Sequence, residues 1–288
     1  PSLDRVLAEI ESLPGRHLYF LDDNFFGNGA FARRLMDGMR GMNRIWQAAG
    51  SVDAVLTPGM MDRASACGLR SLFVGFETLD DDNLANLHKC HNRNRDYGMA
   101  VRRMHDAGVM VNASFIFGMD ADGPDVFRRT VDWAVAQGVE TATFHILTPY
   151  PGTPLFHSMQ AEGRLTSRNW DLYDTRHAVF RPRRMSAGQL EAGYRRAYRE
   201  FYSWGNILRT TIGQGSIGRM MRHGAYTTAW KKLELFWDVI VRIHSVSLCT
   251  PVLESVLAGI RPQKPGKQDV SREESAPEPD QRRAIPGF

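Results

Sequence analysis

Residues 18–29 read LYFLDDNFFGNG: an apolar strand pattern runs straight into two adjacent carboxylates, an asparagine and two phenylalanines, then breaks at glycine. Residues up to Leu21 suit a buried strand, but Asp22 and Asp23 side by side are costly inside a sheet unless hydrogen bonds or opposite charge meet them. The pair is therefore expected at the strand's carboxyl end, facing a ligand. Four further β-rich runs follow: RIWQAAG (44–50), SLFVGFE (71–77), VMVNASFIFG (109–118) and ETATFHILTP (140–149). Each but the last leads into helical spacing: AFARRLMDGMRGM, PGMMDRASACG, DDDNLANLHK with RDYGMAVRRMHDAG, and PDVFRRTVDWAVAQG. Three of these helices end in a glycine close to the next strand, as a C′ cap does. The alternation predicts an α/β fold with a parallel sheet and helices outside, either an open doubly wound sheet or a barrel-like array of β/α units.

In both architectures ligands gather at the carboxyl ends of the strands. The polar residues expected there are Asp22, Asp23 and Asn24, then Gln47 and Ser51, Glu77 and Thr78, Gly118 and Asp120, and Thr148 to Thr153. Five consecutive strands ending this way predict a shared polar cavity. After Thr148 the run TPYPGTPLF predicts a rigid, sharply turning loop. Beyond it a short extended piece precedes amphipathic helices, with Ser186 as an N-cap, and the tail from Pro262 has the Pro, Glu and Ser bias of disorder.

A chain of 288 residues, 43% hydrophobic, has apolar material for one large domain or two small ones. Cys67, Cys90 and Cys249 are too irregularly spaced for a disulfide framework, which points to a reducing, cytoplasmic setting. The first residues show neither an apolar signal core nor an initiator Met, so no targeting segment is expected, and a chain starting at Pro1 on the edge of a helix reads as cut from something longer. From Arg181 to Arg242 twelve Lys/Arg meet four Asp/Glu, a surplus of +8 that leaves −4 elsewhere. This block reads as solvated helix faces, or as a surface for a phosphate-bearing partner or an anionic membrane. No aromatic-rich RNA motif accompanies it, so no nucleic acid is expected. His88, Cys90 and His91 in HKCHN lack a second ligand pair and make a poor zinc site. Cys67 reads as a buried helix residue, and His145 as either a cavity or a core histidine. Trp230, Leu233, Phe236, Trp237, Ile240 and Ile243 fall mostly on one helical face that would pack on the barrel or rest on a bilayer, while Lys231, Lys232 and Arg242 prevent a membrane span.

Five pieces in order, FLDDNFFGN, SLFVGFETLDDDNL, ASFIFGMDADGPDVFRRTVDWA, LTPYPGTPLF and HAVFRPRRMSAGQLEAGYRRAYREFYS, resemble the catalytic domain of radical S-adenosylmethionine enzymes over roughly residues 3–205. The similarity is to the subgroup with an N-terminal cobalamin-binding domain. It implies a partial (β/α)6 TIM-like barrel lacking strand one, over residues 1–165, then a helical extension over 166–261 and a disordered tail over 262–288. The family's strands two to six would be 17–22, 44–48, 71–76, 110–117 and 142–147. By the same resemblance Asp22 and Asp23 contact the methionine ammonium, which would stabilise a carboxylate pair that is otherwise hard to bury. Glu77 reaches the ribose or carboxylate, and the backbone near Gly118 and Leu147 flanks the adenine. Asn24, Gln47, Tyr150 and His177 stand on the substrate side, with Arg181 beside them; no residue is singled out as catalytic.

The implied cofactors are S-adenosylmethionine, a [4Fe-4S] cluster and cobalamin. The implied chemistry is reductive cleavage to a 5′-deoxyadenosyl radical that activates a C–H bond, with methyl transfer from cobalamin as one outcome. A flavodoxin or ferredoxin would donate electrons, and the substrate would be a small, or lipid-like, molecule with peripheral membrane contact. The chain departs from the family in having no C-x3-C-x2-C loop, so without those ligands it is expected to be inactive as it stands. Two rivals remain at this stage: a non-catalytic degenerate barrel serving as scaffold or partner subunit, and a barrel enzyme whose Asp pair binds a divalent metal.

Overall fold

The computed structural model describes residues 2–80, 82–83, 97–213 and 217–228. Five strands, β1 (His17–Tyr19), β2 (Ile45–Gly50), β3 (Leu69–Glu77), β4 (Met110–Phe117) and β5 (Thr141–Ile146), pair in parallel in the order in which they occur. A doubly wound sheet reverses its strand order; this one does not, and the strands curl into a half-barrel. The helices are α1 (Leu3–Ser12), α2 (Gly29–Gly38), α3 (Val52–Leu56), α4 (Met60–Ala66), α5 (Tyr97–Asp106), α6 (Val126–Ala136), α7 (Pro154–Ala161), α8 (Ala187–Phe201), α9 (Trp204–Ile212) and α10 (Ile217–Tyr226).

Alternation along the strands separates two faces. Trp46, Leu72, Phe76, Phe115 and Phe144 are fully buried on the convex face against the helices. Phe76, Phe115 and Phe144 stack across three strands with ring centroids 5.8 and 5.9 Å apart. The intervening positions, Phe73, Gly75 and Glu77 on β3, Asn112 and Ile116 on β4, Thr143 and His145 on β5, are half-buried and line the concave face. Gly68, Gly108 and Gly138 close α4, α5 and α6 with φ of 103°, 72° and 73°. At Gly68 a Cβ would lie 2.0 Å from the Arg44 carbonyl oxygen, so only glycine fits. Ser186 caps α8 in a reciprocal capping box with Gln189.

The two outer strands finish differently. Along β5, the Tyr202 hydroxyl accepts from the Ala142 amide (3.0 Å) and donates to the Ala142 carbonyl (2.9 Å). Tyr198 does the same at Phe144 (3.1 and 3.2 Å), and the Ile146 amide donates to the Thr175 carbonyl (2.7 Å). Tyr198 on α8 and Tyr202 at its C-cap thus stand in for a neighbouring strand. Beside β1, a groove of about 520 Å³ runs under α1, lined by Val6, Ile10, Leu13, Leu18 and Phe20. The α1 terminus is held there by Arg44, whose guanidinium donates to the carbonyls of Ile10 (2.6 Å), Glu11 (3.1 Å), Leu13 (2.9 Å) and Gly15.

The first strand is shorter than its apolar pattern predicts, ending at Tyr19 rather than residue 22. Tyr19 is 59% and Leu21 84% exposed, because β1 is an outer strand and its chain turns off the sheet early. The other strands lie within two residues of expectation, while α3 is an additional short helix capped by Ser51. Cys67 is buried at the end of α4, as expected. The His88, Cys90 and His91 group, Cys249, the Trp230–Ile243 face and the 262–288 tail lie outside the described residues.

Candidate active site

The segment after β1 is pinned at two points: the Phe20 amide donates to the Gln47 carbonyl (3.0 Å) and the Phe25 amide to the Ala49 carbonyl (2.9 Å). Phe25 and Phe26 are buried, and Phe20, Phe25 and Trp46 pack ring to ring with centroids 4.8 to 5.4 Å apart. Leu21, Asp22, Asp23 and Asn24 arch between these anchors, and all four are exposed. The phenylalanines, then, fasten a turn that lifts the carboxylates to the rim. Water reaches both carboxylates, so the cost of burying the pair does not arise among the described residues.

Glu77 closes β3 with φ of 65°, a left-handed conformation rare for a residue with a side chain. The Thr78 amide donates to the Phe76 carbonyl (2.8 Å), making a three-residue γ-turn centred on Glu77, at a bulge in the β3–β4 register. Its carboxylate folds back over Gly75, with Oε1 3.1 Å from where a Cβ of Gly75 would sit. Glycine at 75 therefore leaves a cradle for this carboxylate on the concave face. His145 shares that face: its Nδ1 lies 3.2 Å from Thr175 Oγ1, and burial holds the imidazole below its usual pKa against the opposing pull of the Glu77 charge. Gln47 is exposed on the same face of β2.

Several other residues expected at the rim are held by contacts within the fold. Ser51 and Thr153 cap α3 and α7, Thr78 accepts from the Asp80 amide, and the Thr148 hydroxyl donates to the Ile146 carbonyl. Asp120 pairs with Arg164 (2.7 Å) and Arg183 (2.8 Å). Burial opposes its ionisation, but hydrogen bonds from these two arginines prevail and hold its carboxyl below the usual range. Gly118 is buried beneath Leu190 and Phe180, with its amide committed to Asp122 (2.9 Å), and the Leu147 amide donates to the Phe117 carbonyl (2.8 Å). Tyr150 is 47% exposed on the loop after β5. His177 is exposed and paired with Asp174 (3.0 Å), two residues from the Thr175 that meets His145. The Arg181 amide donates to the Arg164 carbonyl (2.9 Å), and the Arg181 carbonyl accepts from Arg164 Nε (3.0 Å).

The sequence reading missed the Asp122–Asn83 latch. Both residues are 1% exposed; Asp122 accepts from the Gly118 and Met119 amides and from Asn83 Nδ2 (2.7 Å), while Asn83 Oδ1 accepts from the Ala121 amide (2.9 Å). It joins the loops after β3 and β4 and fixes the backbone of the rim between them. Burial drives the Asp122 carboxyl up to about 6 despite those three donors. The legible signal was GMDADGPD, where an aspartate four residues past a glycine can bond back to its amide. Among the described residues no group of three His, Cys, Asp or Glu is arranged to hold a metal ion.

Residues 153–247 match a family described as a domain of unknown function, DUF4070. The chain is 30% identical over 214 residues to bacteriochlorophyllide d C-12(1)-methyltransferase of Chlorobaculum tepidum, covering 74% of this chain and 46% of that protein. It is 28% identical over 154 residues to hopanoid C-2 methylase of Rhodopseudomonas palustris, covering 51% of this chain and 29% of that one. The chain thus spans less than half the length of these relatives. Among solved structures, the radical S-adenosylmethionine methyltransferase TsrM from Kitasatospora setae matches with a TM-score of 0.49 at 19% identity, over 56% of this chain and 32% of that one. That likeness is too distant to carry an argument, and the half-barrel rests on its own strand order.

Proposed function

We propose that the chain is a radical S-adenosylmethionine enzyme's barrel portion and that its concave rim is the S-adenosylmethionine-binding half of a methyltransferase or related C–H-activating enzyme, a reading supported by its similarity to the bacteriochlorophyllide and hopanoid methylases. The observation that carries this reading is Glu77, held in an unfavourable backbone conformation with its carboxylate laid over Gly75. Strained residues of this kind concentrate where a side chain must be aimed at a ligand. Glu77 would accept hydrogen bonds from the ribose or the amino acid end. The exposed Asp22 and Asp23 offer charge to the ammonium, and backbone beside Gly118 and Leu147, stiffened by the Asp122 latch, flanks the base. Asn24, Gln47, Tyr150 and His177 face the substrate side. Residues 1–165 would form this barrel portion, and 166–261 its helical extension.

S-Adenosylmethionine bound with a reduced cluster supplies the radical in this family. The described residues carry no ligand set for such a cluster and the sequence has no C-x3-C-x2-C loop, so no step through it is assigned to this chain, which would be inactive alone. What its own residues do is bind, orient and shield the nucleoside. Cobalamin, a flavodoxin- or ferredoxin-like donor, and a small or lipid-like substrate with peripheral membrane contact complete the reading. The second reading is a cluster-free barrel acting as a scaffold or partner subunit.

Calorimetric titration of S-adenosylmethionine into the chain tests the proposal. Saturable binding is expected, weakened roughly tenfold or more by Glu77→Gln, the worth of a charge-assisted hydrogen bond, and also by Gly75→Ala, which displaces the carboxylate. Absence of binding supports the partner-subunit reading, and stoichiometric uptake of magnesium or manganese at Asp22 and Asp23 supports a metal enzyme.

A further inference from the structure

Helices α9 and α10 pack against each other as a hairpin whose outward side is apolar. On α9, Trp204, Leu208 and Ile212 follow at intervals of four and share one face, 57%, 60% and 60% exposed. On α10, Ile217 and Met221 repeat the spacing at 77% and 72% exposure. The buried positions of the hairpin, Ile207, Thr210 and His223, lie on the opposite side, so the large apolar residues are not the hairpin's core. Isolated exposed apolar side chains are ordinary; five on adjoining helices form the kind of patch that marks an interaction surface.

The charge pattern selects the partner. Residues 203–228 contain Arg209, Arg219 and Arg222 and no Asp or Glu; Arg209 is exposed, while Arg219 pairs with Asp106 (3.8 Å) and Arg222 is half-buried. On neighbouring α8, Arg195 and Arg196 are 61% and 53% exposed, loosely paired with Glu191 (3.7 Å) and Glu200 (3.9 Å) on the same helix. A tryptophan at one end, aliphatic side chains along the face and arginines beside it are the composition of a helix that lies in a lipid headgroup layer. Among the described residues no helix is long and apolar enough to cross a membrane, so the contact is one of surface and not of span. We propose that the α9–α10 hairpin is a membrane-docking face that rests on a bilayer carrying anionic lipid. This deepens the membrane contact proposed above by naming its surface, and it does not depend on S-adenosylmethionine binding.

Co-sedimentation of the full 288-residue chain with lipid vesicles tests it. Binding is expected to vesicles containing phosphatidylglycerol, to be several-fold weaker with phosphatidylcholine alone, and to fall as salt is raised. The Leu208→Asp, Ile212→Asp double substitution should lower binding at least tenfold, and Met221→Asp should do so independently. Both alter exposed positions, and an unchanged circular dichroism melt verifies the fold. Trp170→Asp, at a 54% exposed apolar residue outside the hairpin, should leave vesicle binding unchanged. S-Adenosylmethionine titration of the same variants separates failure here from failure of the cofactor reading. The proposal is overturned if neither vesicle binds, if the hairpin variants bind as the parent does, which would move the contact to residues 229–288, or if the substitutions instead abolish self-association, which would make the face an interface between copies.

Discussion

The half-barrel's two outer strands meet the same problem with different chemistry. An outer strand leaves a row of amides and carbonyls that needs partners or shielding. At β5 the row is satisfied atom by atom: two tyrosine hydroxyls each donate and accept at one residue, and a loop carbonyl takes the next amide. At β1 a helix overhangs an apolar groove, tethered at its end by one arginine. The β5 solution works because a helix rises about 6 Å over four residues and a strand about 6.6 Å over two, so Tyr198 and Tyr202 meet Phe144 and Ala142 nearly in step. One edge is built to be permanent and the other to be covered.

The strongest way to break this contrast is at the tyrosines. Tyr198→Phe with Tyr202→Phe leaves four buried backbone groups without partners, an expected loss of about 4 kcal/mol in urea unfolding. Burial pushes the Tyr198 phenol up to about 12. The unfolded chain therefore ionises there first, and stability should fall between about pH 10 and pH 12; Tyr198→Phe should remove its share of that slope.

Between the two edges stands the Asp122 latch, whose response should be independent of both. With a folded value of about 6, the folded state keeps its proton where the unfolded chain has lost it. Stability should decline as pH rises from about 4 to 6 and level off above, by roughly 3 kcal/mol. Asp122→Asn should abolish that dependence and destabilise by placing two amide donors face to face. The exchanged pair Asn83→Asp, Asp122→Asn should restore part of the loss, as a double-mutant cycle would show.

At β1 the effect should be smaller and local. Arg44→Met removes the clamp on α1 at an expected cost of about 2 kcal/mol. Hydrogen exchange should quicken in α1 while the amides of Ala142 and Phe144 keep their protection; equal quickening at both would show that the edges are one cooperative unit.

The fold was legible because its rhythm is repeated: five β-rich runs, helical spacing between them and glycines at the helix ends place every strand within a few residues. What the periodicity could not decide was doubly wound sheet against barrel, because strand order is a property of long-range packing. At the rim, residue type alone did not distinguish ligand-facing groups from caps. Ser51, Thr78, Thr148 and Thr153 have the chemistry of a binding site and are spent on backbone amides and carbonyls nearby. Asp22 and Asp23 were expected at the end of β1 and lie just past it, on a turn whose anchoring by Phe25 and Phe26 needed their burial to be seen. Gly75 looked like any strand glycine until the Glu77 carboxylate was found above it.

The left-handed turn at Glu77 sets stability and binding against each other. Glycine adopts that conformation without the cost of order 1 kcal/mol that a glutamate bears there. A population selected for heat resistance alone should drift to glycine at position 77 and gain stability, losing in the same step the carboxylate over Gly75; one selected for nucleoside binding should keep glutamate and remain the less stable protein.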